Sequence, residues 1–149
     1  MLLQIGLGSA MIVTTTLVQG IFTMLGVEYM QLRTSRHPAR SLFLPTVRLS
    51  GFVLWLFLAT IIEVWIWAAL YRLLGALQSL EKAVYFSTVT FTTLGFGDIT
   101  LDEEWRLLSS FEAANGLLMF GWSTALVFAA VKWTHEYHVQ HRNHGPSYH

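Results

Sequence analysis

The chain has 149 residues, 54% of them hydrophobic and 12% charged, and carries no net charge at neutral pH. So apolar a composition excludes an ordinary soluble domain and points to a membrane protein, and the lack of a basic patch interleaved with aromatics excludes nucleic acid as a partner. With no cysteine, disulfides, thiol catalysis and thiolate metal sites are excluded as well.

In chain order, the apolar runs 7–27, 51–73 and 107–131 each predict a membrane-spanning helix. About 20 helical residues rising about 1.5 Å each cover the roughly 30 Å hydrocarbon core. The first run lacks a positively charged start and outlasts the core of a signal peptide, so residues 1–27 read as a retained helix. Residues 28–50 read as a linker, with Arg33, Arg36, Arg40 and Arg48 against the single Glu28, and short arginine-rich loops stay in the cytoplasm. The amino terminus is then outside and the tail after Lys132 inside. The connection carrying Asp98, Asp102, Glu103 and Glu104 falls outside, in a multi-pass protein of the cell membrane. Pro38 and Pro45 predict a turn or interfacial segment over 33–45.

Between the second and third spans, residues 81–92 are apolar, aromatic and hydroxyl-rich but too short to cross, which predicts a re-entrant helix. Twelve helical residues descend roughly 18 Å, and residues 93–97, if extended, climb back about 16 Å. Non-helical backbone at that depth is tolerated only inside protein or along a water-filled path. A pore satisfies its carbonyls with ions.

The phrase Thr93-Leu94-Gly95-Phe96-Gly97-Asp98 resembles the TVGYGD filter signature of potassium channels, over about residues 51–133. The likeness extends to prokaryotic channels with two transmembrane helices and, through Phe96, to the second pores of two-pore-domain potassium channels. It implies a homotetramer in which four loops point the carbonyls of Thr93, Leu94, Gly95, Phe96 and Gly97 at a central axis, replacing the water shell of potassium. Potassium is the permeant ligand, and no cofactor is implied. Glycine suits positions 95 and 97, where positive φ values turn carbonyls inward. Leu94 and Phe96 depart from the commoner valine and tyrosine, and Tyr85 and Phe86 stand where many members carry a tryptophan pair. Phe96 lacks a hydroxyl, so support behind the filter is expected to rest on packing more than on hydrogen bonds.

In the third span Gly116 and Gly121 look like the bending region of the family's inner helix, or serve as close-packing sites between helices. Leu117, Phe120, Thr124 and Phe128 recur at helical spacing and face either a pore axis or an ordinary core. Glu112 is expected to brace the filter through Ser87, Thr88 or Thr90, or else to be a protonated structural carboxyl; Glu63 is expected to meet the Thr14-Thr15-Thr16 run. Trp105 and Trp133 read as interface anchors. The tail, 134–149, carries His135, His138, His141, His144 and His149, either as a frayed terminus or as a metal- or proton-responsive stripe.

These readings predict an all-α membrane protein of three transmembrane helices with a re-entrant pore helix and a selectivity-filter loop. Its pore domain is 51–133, with outer helix 51–73, pore helix 81–92, filter 93–98 and inner helix 107–132. The expected function is passive potassium conduction, with a weakly selective cation channel or a non-conducting accessory subunit as rivals. No phrase places a nucleophile, base and orienting residue together, so no enzyme is expected.

Overall fold

The computed structural model describes residues 1–36 and 43–143, with side chains over 1–32 and 43–136. Four helices account for nearly all of it: α1 (Leu2–Arg36), α2 (Phe43–Leu73), α3 (Leu80–Phe91) and α4 (Arg106–Asn143). Among the described residues there is no strand. Three of the helices are long and apolar enough to cross a membrane, over Leu2–Leu32, Phe43–Leu73 and Arg106–Glu136.

The spans outrun the expected bounds. Helix α1 continues nine residues past Val27, and α2 begins at Phe43, where a linker to residue 50 was expected. In the added stretch of α1, Met30 is buried against Phe52 and Leu56 of α2. Pro45 is no obstacle, because it lies in the first turn of α2, where an N–H has no intrahelical acceptor. Pro38 and Arg40 lie outside the described residues, as do the side chains of Arg33 and Arg36. At the other end α2 stops at a left-handed turn, with Gly75 at φ +70° and the Ala76 N–H returning to the Tyr71 carbonyl at 3.0 Å. Arg72 secures that turn by donating to the carbonyls of Leu77 and Gln78 at 2.9 and 2.7 Å.

Helices α2 and α4 pack together, with α3 and α1 each touching both and not one another. Between apolar helices in lipid the hydrophobic effect gives little, so association depends on close packing and interhelical hydrogen bonds. Helix α1 uses both. A side chain at Gly8 would sit 2.6 Å from the Phe111 ring, and one at Gly26 would sit 2.8 Å from Phe52. The polar ties are Asn115 Nδ2 to Thr15 Oγ1 at 2.8 Å, Gln19 Nε2 to Ser123 Oγ at 2.9 Å, and Trp55 Nε1 to the Phe22 carbonyl at 2.9 Å. The main core surrounds α3 and holds Trp67, Tyr71, Phe86, Phe91, Leu108 and Met119.

Candidate functional site

The short helix α3 is built to start and stop where it does. Ser79 caps it by accepting from the Lys82 N–H at 3.1 Å, and Glu81 places a negative charge in the first turn. Its last turn closes on Thr92, whose hydroxyl and N–H both donate to the Thr88 carbonyl. The chain then folds back under that end, with the N–H groups of Leu94 and Gly95 donating to the Val89 carbonyl at 3.0 and 3.3 Å.

From Thr93 to Gly97 the backbone alternates in hand. Thr93, Gly95 and Gly97 have φ of +60°, +56° and +77°, while Leu94 and Phe96 keep negative values. The segment is therefore not the extended strand expected from its length. An extended strand points successive carbonyls to opposite sides; alternation between the left- and right-handed regions points them to one side. A side chain added at Gly95 or Gly97 would meet nothing within 4 Å, so backbone conformation alone requires glycine there. Thr93 holds the same conformation with a β-branched side chain, a strained state that persists only where its surroundings impose it.

Behind the loop lies a pocket of about 500 Å³ lined by Tyr85, Val89, Thr90, Ser109 and Ala113, among others. One hydrogen bond crosses to the loop's outer end, where the Tyr85 hydroxyl donates to Asp98 Oδ2 at 2.8 Å. That bond was not foreseen: position 85 supplies a polar tie despite the missing tryptophan. It also keeps the Tyr85 phenol above its ordinary value, because the hydrogen bond to Asp98 favours the neutral form. Phe86 is buried and edge-on to Tyr71, with ring centroids 5.2 Å apart. Leu94 and Phe96 are 60% and 66% exposed, so this chain does not cover them.

Glu112 joins three helices. Fully buried on α4, it accepts from the Tyr71 hydroxyl of α2 at 2.7 Å and is hydrogen-bonded to the Ser87 hydroxyl of α3. Ser87 also lies 2.8 Å from the Val64 carbonyl. A serine hydroxyl has one hydrogen, so Val64 and Glu112 share it unless the carboxyl brings a proton of its own. The carboxyl ties α4 to α2 and α3. Of the three suggested partners Ser87 is the one bonded; Thr88 turns to the Val84 carbonyl at 2.7 Å. Tyr71, the other partner, was missed because an aromatic at a span's end carries no sequence signal of its target.

Along α4, Leu117 and Phe128 are 66% and 70% exposed, and Thr124 is exposed between them, its hydroxyl bonded to the Phe120 carbonyl. Phe120 is half-buried, its ring edge-on to Phe91 at 6.0 Å. The two glycines separate. A side chain at Gly116 would come within 1.9 Å of the Phe91 carbonyl oxygen, so this glycine lets the end of α3 touch α4 backbone to backbone. Gly121 has nothing within 4 Å.

Glu63 is buried, and neither carboxylate oxygen has a hydrogen-bond partner among the described residues. The expected tie to the threonine run is absent; the Thr15 hydroxyl donates to the Met11 carbonyl and accepts from Asn115. Trp105 packs against the main core, and Trp133 is half-buried. Helix α4 carries on through the start of the tail to Asn143, with His135 exposed; the side chains of His138 and His141, and all of His144 and His149, lie outside the described residues. Among the described residues no group of three His, Asp or Glu is placed to hold a metal.

A bundle of apolar helices, with a short capped helix packed among them and an exposed irregular loop after it, fits a channel-type membrane protein. The family model described as "Ion channel" matches residues 50–132, more than half of the chain, and the chain belongs to that family. It is a multi-pass, non-enzymatic protein. The match takes in most of α2, all of α3 and most of α4, and leaves α1 outside. No curated protein and no solved structure matches the chain.

Proposed function

We propose that this chain is one subunit of a homotetrameric, potassium-selective channel whose filter is Thr93 to Gly97, with Asp98 at its outer mouth. The observation that carries the reading is the alternation of backbone hand over those five residues, at the carboxyl end of a short capped helix. Four copies around an axis turn five rows of carbonyls on an ion and replace its hydration shell. The partly negative end of α3 favours a cation in the cavity below. One chain supplies one wall of such a pore, which accounts for the uncovered Leu94, Phe96, Leu117 and Phe128.

In this reading α2 is the outer helix, α3 the re-entrant pore helix and α4 the inner helix, with Leu117, Phe120, Thr124 and Phe128 lining the path. Tyr85, Phe86 and Glu112 support the filter. Gly116 is assigned to packing and Gly121 to the hinge. The amino terminus is outside and the arginine-rich α1–α2 connection cytoplasmic, by the charge asymmetry of the loops. Reversal potentials of the purified protein in planar bilayers, under opposed potassium and sodium gradients, test the proposal. A reversal near the potassium equilibrium potential supports it; one near zero makes the protein a weakly selective cation channel. Absence of current from correctly assembled tetramers leaves the accessory-subunit reading.

A further inference from the structure

We propose that α1 latches the far half of the inner helix through the Gln19–Ser123 hydrogen bond, which must break when α4 bends at Gly121. The inference rests on the channel reading above.

Before Gly121, α4 is anchored at every turn. Leu108 and Met119 are in the main core, Glu112 is bonded to Tyr71 and Ser87, and Gly116 lies against the Phe91 backbone. Asn115 ties α1 to the same stretch through Thr15. From Gly121 to Glu136, by contrast, no α4 residue is buried. This half makes apolar contact through Leu126, Val127 and Ala130 with Met30, Phe52 and Leu56, beside a pocket of about 200 Å³ that also touches Trp133. Contacts of this kind exchange for lipid at little cost, because lipid is as apolar as they are.

Gln19 is different. Its side chain is fully buried, its Nε2 donates to Ser123, and its Oε1 has no hydrogen-bond partner. Loss of the Ser123 bond therefore strands a whole amide between apolar helices. Ser123 is two residues past Gly121, while Thr15, one turn before Gln19, is tied to the anchored stretch. These two polar ties of α1 to α4 thus straddle the hinge. A displacement of Ser123 by about 1 Å already carries a 2.9 Å bond out of range. The bond favours the arrangement of α1 and α4 seen here, and α1 lies outside the family's matched region, so the latch is an addition to the pore domain.

The test compares Gln19→Leu, Ser123→Ala and their double variant with the parent, in planar bilayers and by spin-label distances. The chain has no cysteine, so labels at Leu44→Cys and Val131→Cys, in subunits diluted with unlabelled parent, report the position of α4 against α2. Each single variant is expected to shift the open–closed equilibrium toward open by about threefold per subunit. The double variant should do no more than either single. Conductance and reversal potential stay at parent values, and the label distance lengthens. Thr15→Val, before the hinge, should lower thermal stability and leave open probability alone. Parent-like open probability and distances in both single variants overturn the latch, as does a rise in opening without a change in distance. If the parent passes no current while Gln19→Leu still lengthens the distance, the latch stands and the channel reading falls.

Discussion

The half of the bundle around α3 and the half beyond Gly121 are made from equally apolar sequence yet held in opposite ways. Around α3, aromatic rings interlock edge to face, Glu112 bridges three helices, and Gly116 admits direct backbone contact. Beyond Gly121 the three long helices share a small cluster around Met30, Phe52 and Leu56, beside open space. The difference teaches where movement is cheap. A loop that must present carbonyls at fixed positions needs a stiff surround, whereas a gate needs a part that can be displaced without dismantling the core. The two needs meet on one helix, at Gly121.

The largest effect is expected where the stiff half touches the proposed filter. Gly95→Ala and Gly97→Ala each put a β-carbon on backbone of positive φ and should abolish potassium current, with the protein still assembled in the membrane. Undiminished current in either variant removes the filter assignment. Next comes the contrast between glycines. Gly116→Ala should cost about 3 kcal/mol by forcing α3 from α4, read as a lower unfolding midpoint in detergent, while Gly121→Ala should stay within about 0.5 kcal/mol. Equal costs for the two would erase the division proposed here.

A smaller loss, about 2 kcal/mol, is expected from Glu112→Leu, which leaves the buried Tyr71 hydroxyl without its acceptor. Glu112→Gln keeps an acceptor for Tyr71 and a donor for Ser87, so it should be tolerated; if the glutamine variant is as damaged as the leucine one, a charge matters there. Packing variants sharpen the comparison further. Leu108→Ala, in the main core, should cost about 2–5 kcal/mol, against less than about 1 kcal/mol for the half-exposed Leu126→Ala.

The smallest effect concerns pH. The bond to Asp98 raises the Tyr85 phenol, so its contribution is complete below the ordinary tyrosine value of about 10 and disappears as pH rises through the raised value. Phenolate absorbance should lose a late-titrating step in Tyr85→Phe. Loss of a step at the ordinary tyrosine value instead would show that the bond does not form in the membrane.

The sequence by itself determined the class of structure, because apolar runs long enough to cross a bilayer leave the backbone no choice but helix. It also picked out the short segment and the glycine pattern after it, since residue type and spacing are local properties. Most partnership across helices was decided only in the folded chain. The sequence offered Ser87 among three hydroxyls for Glu112 but gave no sign of Tyr71, and nothing in Gly116 and Gly121 says that one is packed and the other free. Glu63, assigned to the threonine run, found no partner there. Which face of a helix meets which neighbour depends on rotation about its axis and on the crossing angle. In a chain so uniformly apolar those are set by a few glycines and buried polar pairs, whose partners lie up to about a hundred residues away in sequence.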